Sequence, residues 1–324
     1  MSRNKTQPSL PRNPGTDFQL ERFCDIQINR SAVEQRCASY GTRRSIKKDK
    51  QAAWLIKVIS LIDLTTLAGD DTNDRVRRLC RKAIHPVNEQ LLKKLELESL
   101  NISTAAVCVY HEMISGAAKV LKGTDVHLAA VSTGFPAGLS PLPLRIEEIK
   151  YSVDQGADEI DIVISRRLVL EGKWEELYHE VRMFREACGE AHLKTILATG
   201  ELGNLSTIAK ASQVCMMAGA DFIKTSTGKE PTNATLPVSL VMVRMIREYY
   251  ESTGYMVGFK PAGGISDTKT ALQFMTMMQE ELGRRWVEPD LFRFGASSLL
   301  GDIERQLDHY SSGYYSAAYR HPIA

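Results

Sequence analysis

The sequence predicts an α/β fold, a (β/α)8 barrel of the TIM type with a polar N-terminal extension. Three observations predict it. Short apolar runs recur eight times, each ending in small, polar or turn-forming residues. Segments of helical periodicity lie between them. Side chains capable of chemistry stand near the ends of several runs rather than in one crevice, as at the strand C-termini of a barrel.

Taken in order, residues 1–50 read as a polar, Pro-punctuated extension, in part without fixed structure, whose basic run "TRRSIKKDK" leads into a helix. "RRSIKK" within it is read as a solvated helix entry in preference to a localisation signal. The barrel is expected over residues 51–305, with strands in "VISLIDLTT", "TAAVCVY", "VHLAAVSTGFPAG", "DEIDIVIS", "HLKTILATGEL", "DFIKTSTG", "YMVGFKPAGG" and "LFRFGASS". Their Val, Ile and Phe content suits parallel strands buried on both faces. "WEELYHEVRMFREACGEA" (174–191) and "PVSLVMVRMIREYYEST" (237–253) carry helical periodicity. Residues 306–324 form a C-terminal tail, a flexible lid or a disordered end. A doubly wound open sheet is the competing architecture, but no G-x-G-x-x-G follows the first strand. A solenoid fails because the units share no signature beyond the strand pattern.

The 324 residues suffice for one barrel, and 41 Lys plus Arg against 39 Asp plus Glu give a net charge of +2. That balance argues against nucleic acid or an anionic membrane as partner, so any anion site must be local. Six cysteines without a C-x-x-C pair, and an N-terminus without an apolar signal core, lead us to expect a reduced, cytoplasmic protein. No apolar run approaches the roughly 20 residues that span a bilayer, and the terminal "HPIA" matches no lipidation or peroxisomal signal.

At or near the run ends stand Asp63, Cys108, Thr133, Asp161, Lys194, Lys224, Lys260 and Ser297. A lysine inside "DFIKTS" or "VGFKPA" is costly to bury unless it has a partner or a shifted pKa. Lys224 and Lys260 could instead be unreactive ion-pair lysines, the less favoured reading, with Asp161 their counter-ion and Asp63 and Asp158 loop or capping residues. Cys108 reads more readily as a small buried hydrophobe than as a nucleophile. The turns "TSTGK", "PAGG" and "FGASS" suit a phosphate cup built from Gly228, Lys229, Gly263, Gly264, Ser297 and Ser298, unless these are turn residues only. "TGK" lacks the spacing of a nucleotide loop, the histidines lack metal-site spacing, and no G-x-S-x-G occurs. Lysine chemistry remains.

"GADFIKTSTGK", with "VGFKPAGGI", "LFRFGASSLL", "GADEIDIV", "IDLTTL" and "LKTILATGEL", resembles the deoxyribose-phosphate aldolase family over residues 51–305, and the long N-terminal segment resembles its animal members. The resemblance implies a TIM barrel that cleaves 2-deoxy-D-ribose 5-phosphate to glyceraldehyde 3-phosphate and acetaldehyde through a Schiff base, without metal or cofactor. It implies Lys224 as the Schiff-base lysine, Lys260 as the second lysine and Asp161 as the proton relay. It further implies Lys194 as a supporting lysine, Cys108 near the substrate, and the phosphate site named above; Asp63 is carried as a supporting residue. A free lysine, with pKa about 10.4, is neutral in roughly one molecule in 2,500 at pH 7, and only the neutral amine attacks a carbonyl. A neighbouring Lys260 and desolvation would both favour that form. Bacterial members end in a tyrosine, whereas this chain ends "YYSAAYRHPIA", with Tyr314, Tyr315 and Tyr319 inside the tail. Two rival functions are a catalytically silent sugar-phosphate-binding barrel and a Schiff-base aldolase for another sugar phosphate. The partner is a small-molecule sugar phosphate, with no nucleic acid and no membrane; a homodimer is left open.

Overall fold

A computed structural model of the chain describes residues 10–42 and 46–322. It contains eight strands: β1 (Ile62–Thr65), β2 (Ala106–Tyr110), β3 (His127–Ser132), β4 (Glu159–Val163), β5 (His192–Ile196), β6 (Phe222–Lys224), β7 (Gly258–Lys260) and β8 (Phe294–Ala296). All pairings are parallel, in the order β7-β6-β5-β4-β3-β2-β1-β8. Bridges Phe259–Phe292 and Ala262–Gly295 link the two ends, so the sheet comes round to a nearly closed barrel. Helices lie between successive strands, including Trp174–Cys188 and Leu236–Thr253 where periodicity places them. The predicted (β/α)8 barrel is the fold found. Among the described residues no helix is long and apolar enough to cross a membrane.

The strands alternate their two faces. Even-numbered residues of β3 such as Leu128 and Ala130 pack outward into the main hydrophobic core, while Ala129 and Val131 belong to a separate inner cluster. Helix starts are set by side-chain caps: Asn204 accepts from the Thr207 N–H, Thr235 from Val238 and Asp267 from Thr270. These caps begin the helices that follow β5, β6 and β7, and so fix the loops above the three lysine-bearing strands.

Over residues 10–42 the extension packs against the barrel. Asn13 is buried and its side chain donates to the Met216 and Ala220 carbonyls at 2.8 and 2.9 Å, while its own N–H donates to Asp221. Phe23 is fully buried, edge-on to Phe18 and Trp174. A helix, Arg30–Tyr40, then lies against Leu236–Thr253, with the Tyr40 hydroxyl donating to Glu281. Polar composition hides this because the contacts are distant in sequence: Asn13 bonds residues some 200 positions away, and scattered apolar residues such as Phe23 and Val33 join the core. Residues 1–9 and 43–45, which include part of "TRRSIKKDK" and "RRSIKK", and the last two residues of "HPIA" lie outside the described residues.

The boundary expected at residue 306 falls inside the helix Leu299–Ser312, whose Leu307 is fully buried. The tail begins at Gly313, in a left-handed turn. Tyr314, Tyr315 and Tyr319 are exposed, and the Arg305 guanidinium donates to the Ser316 carbonyl along the outside of the barrel.

Candidate active site

Period-two alternation aims Asp63, Glu159, Asp161, Lys194, Lys224 and Lys260 into the barrel, and register makes several of them neighbours: Asp161 lies beside Lys194, and Lys224 beside Lys260. Every one is buried, Lys224 the most exposed at 3%. Two glycines make the room. A Cβ on Gly258 would meet the Phe222 ring at 2.4 Å, and one on Gly295 would come within 3.3 Å of the Lys260 side chain.

Asp161 is the hub. Its Oδ2 accepts from Lys224 Nζ at 2.7 Å and from Lys260 Nζ at 2.8 Å, and its Oδ1 accepts from Lys194 at 3.1 Å. Lys260 also donates to Asp63 Oδ2 at 2.5 Å, and Lys194 to Glu159. Beneath them Arg293 donates to Asp63 Oδ1 at 2.6 Å and to Glu159 Oε1 at 2.9 Å, with its Nε on the Pro289 carbonyl. Lys194 and Arg293 both approach the Phe222 ring, each 5.9 Å from its centroid.

Burial disfavours every charge here, and the outcome depends on each group's partners. Lys224 is pushed below the ordinary lysine value by burial, which its bond to Asp161 does not offset and to which Lys260 adds repulsion. Lys260 suffers the same burial but has both Asp161 and Asp63, which carry it above the ordinary value. Lys194 is likewise raised, burial being outweighed by Asp161, Glu159 and Asp63. Asp161 is held far below the carboxylate range: its burial is overcome by Lys194, Lys224 and Lys260. Of the three lysines, Lys224 is thus the one inclined to lose its proton.

Cys108, on β2, is fully buried in an apolar patch with Ala129, Val131, Phe135, Val163 and Ile196. Burial raises its thiol pKa, against a smaller opposing pull from Lys260. Thr133 bridges β3 to β4, its hydroxyl donating to the Val163 carbonyl and accepting from the Val163 N–H.

The predicted phosphate residues gather on the rim above β6, β7 and β8. Gly228, Lys229, Gly264, Ser297 and Ser298 are exposed and Gly263 half-buried. Gly263 must be glycine: its φ is +79° and a Cβ would stand 2.6 Å from Asn233. Ser298 begins the helix Leu299–Ser312, whose first N–H groups face the rim without a side-chain cap. The Gly228 N–H, however, donates to Glu230 Oε2 at 3.1 Å, as does the Thr227 N–H. Glu230 therefore holds the loop that displays Lys229.

A barrel with interior lysines and an anion-suited rim fits more than one chemistry, and likeness to known proteins narrows it. The pattern of the DeoC/LacD family aldolases matches residues 57–303. The deoxyribose-phosphate aldolase of Homo sapiens is 54% identical over 314 residues, covering 96% of this chain and 99% of that protein. This chain belongs to the DeoC/LacD aldolase family. The Mus musculus deoxyribose-phosphate aldolase is 55% identical over 312 residues, 96% of this chain and 98% of that protein. Among solved structures, the tetrameric deoxyribose phosphate aldolase of Aeropyrum pernix shares the fold at a TM-score of 0.57 and 22% identity, covering 86% of this chain and 99% of that one.

As a DeoC/LacD aldolase the chain has a buried amine poised beside a carboxylate and a second ammonium, which is the equipment for imine formation and proton transfer. Three residues of the site were missed by sequence reasoning. Glu159 stands two residues before Asp161 in "DEIDIVI", and Arg293 four before Ser297 in "RFGAS", so period two from a chosen residue reaches both. Glu230 carried no such signal, since its bonds to Thr227 and Gly228 are local turn chemistry.

Proposed function

We infer that this aldolase cleaves 2-deoxy-D-ribose 5-phosphate reversibly to D-glyceraldehyde 3-phosphate and acetaldehyde through a Schiff base on Lys224. The observation that carries the assignment of Lys224 is its pairing: its carboxylate partner, Asp161, is already shared with Lys194 and Lys260. The neutral Lys224 amine adds to the C1 aldehyde, and loss of water gives the protonated imine. That cation accepts the electron pair released when the C2–C3 bond breaks, while the C3 hydroxyl gives up its proton through Asp161 and Lys260 and glyceraldehyde 3-phosphate departs. The enamine left on Lys224 takes a proton at carbon, and water returns to free acetaldehyde and the amine.

Lys260 keeps its proton in this scheme and serves as the acid beside the reacting centre, Lys194 steadies Asp161 from its other oxygen, and Asp63 anchors Lys260. Lys229, Gly263, Gly264, Ser297 and Ser298 hold the substrate phosphate, with Gly228, whose N–H donates to Glu230, shaping the turn, so that binding energy at the remote end positions C1 over Lys224. The apolar patch around Cys108 lines the opposite wall. Residues 51–312 form the catalytic unit, with residues 10–42 a strap on its outside. The substrate places the reaction in deoxyribonucleotide breakdown. Six free cysteines among the described residues support the cytoplasm as its setting.

The test is product release. With 2-deoxy-D-ribose 5-phosphate the protein is expected to yield acetaldehyde and glyceraldehyde 3-phosphate in equal amounts, and Lys224→Ala to yield neither. Absence of cleavage by the unaltered protein would leave a silent binding barrel, and preference for ketone donors over acetaldehyde in the reverse direction would leave an aldolase of another sugar phosphate.

A further inference from the structure

The floor of the barrel carries charged groups that the mechanism above does not use. Arg293 is 2% exposed and spans the barrel from the start of β8, donating to Asp63 on β1 and Glu159 on β4. Each of those carboxylates is shared between Arg293 and a lysine: Asp63 gives Oδ1 to Arg293 and Oδ2 to Lys260, and Glu159 gives Oε1 to Arg293 while its Oε2 accepts from Lys194 and, at 3.3 Å, from Arg293 as well. Arg293 thus decides how much of Asp63 and Glu159 is left for Lys260 and Lys194, and these decide how much of Asp161 is left for Lys224.

Counting charges makes the same point. The buried cluster holds three carboxylates, Asp63, Glu159 and Asp161, and four cations, Lys194, Lys224, Lys260 and Arg293, so that 4 − 3 leaves +1 when all are ionised. Arg293 cannot release its proton, and Lys194 and Lys260 each touch two or more carboxylates. Lys224 is bonded to Asp161 alone among the carboxylates of the cluster.

We propose that Arg293 and Glu159 are positioning residues for the aldol reaction, setting from the barrel floor the charge balance that makes Lys224 the surplus cation and hence the free amine. This rests on the reading of Lys224 as the Schiff-base lysine. Neither residue touches substrate. The guanidinium supplies the third permanent balancing charge, and with it present the three carboxylates are neutralised by Lys194, Lys260 and Arg293 without any need of a Lys224 proton.

The groups facing this cluster from the other elements are few. Cys108 of β2 is a buried thiol with its pKa raised by burial. His127, at the start of β3, lies 3.6 Å from Glu159 Oε1, and His192, at the start of β5, is kept neutral chiefly by burial. Arg12 of the N-terminal strap, whose guanidinium donates to the Glu190 carbonyl, lies within the field of Glu159. None of these replaces the fork by which Arg293 holds two carboxylates at once.

The sign of each substitution follows. Only the neutral amine reacts, so the rate of imine formation climbs with pH to a plateau once Lys224 is deprotonated. Arg293→Met removes a positive charge and releases Asp63 and Glu159 to the lysines, freeing Asp161 for Lys224; the climb moves to higher pH. Glu159→Gln removes a negative charge and turns Lys194 toward Asp161; the climb moves to lower pH. Each displacement is expected to be roughly one pH unit, about tenfold in rate on the acid side for Arg293→Met. The double variant restores a +1 cluster and should return toward the original profile, and Arg293→Lys, which keeps the charge, should stay near it.

The experiment is the pH dependence of borohydride trapping with acetaldehyde, read as intact mass and mapped to Lys224, in the full-length protein and these four variants. Opposite displacements with mutual cancellation bear the proposal out. Loss of rate at every pH without displacement, or displacement of both single variants in one direction, overturns it. Should Arg293→Met fail to fold, Glu159→Gln and Arg293→Lys decide: a climb at lower pH and an unmoved one, respectively, support the proposal, and any other pair refutes it. Absence of an adduct on Lys224 in the unaltered protein overturns the Lys224 reading itself, whereas a normal adduct with unmoved profiles sinks only the role of Arg293 and Glu159.

Discussion

The barrel interior is divided into two unlike halves. One side, built from β1 and β4 to β8, carries Asp63, Glu159, Asp161, Lys194, Lys224, Lys260 and Arg293, with each described charge held by an opposite one. The other, centred on β2 and β3 and completed by Val163 of β4 and Ile196 of β5, presents Cys108, Ala129 and Val131 with Phe135, and carries no charge of its own. Val131 and Asp161 sit side by side in register on adjacent strands, and Val163 and Ile196 continue the apolar patch on the strands that carry Asp161 and Lys194. The difference shows that the charged half balances within itself once Lys224 is neutral, while the apolar half adds no charge to it. A cluster of seven buried ionisable groups persists only because each is paired.

Three substitutions probe that division, in falling order of effect. Val131→Asp puts a fourth carboxylate on the apolar side with no cation assigned to it, and should lower stability by roughly 3–5 kcal/mol in chemical denaturation; a loss below about 1 kcal/mol would show that the apolar half tolerates charge. Asp161→Asn removes the hub from the charged half. Lys194, Lys224 and Lys260 lose their shared acceptor, and kcat for cleavage should fall on the order of 100-fold or more with the fold retained by circular dichroism. Cys108→Ala stays within the apolar character of its half, and should cost about 1 kcal/mol of stability and change kcat less than about threefold. With its thiol buried and its pKa raised, Cys108 of the unaltered protein should also resist alkylation at neutral pH.

The fold was legible because eight runs of buried-strand composition alternate with helical periods, and a parallel barrel needs little else. Lys224, Lys260, Lys194 and Asp161 were legible because a charge in an apolar run demands a reason. The floor was not. Arg293 stands between Phe292 and Phe294, and Glu159 follows Asp158, so neither is distinguished until the strand faces are known. The turn sequence suggests Gly228 for a phosphate cup but does not show that Glu230 accepts its N–H. The strap was illegible for a different reason: Asn13 is one polar residue among many in sequence, and only tertiary contact makes it a buried one. Side-chain period reveals what points inward, but not which inward groups share an oxygen.

The division of labour among the three interior lysines is the central claim, and reductive trapping tests it most directly. Acetaldehyde and borohydride at neutral pH are expected to add a single ethyl group, mapping to the peptide that contains Lys224, with Lys194 and Lys260 unmodified. Ethylation of Lys260 or Lys194 instead, or no modification of the cluster at all, would contradict the account.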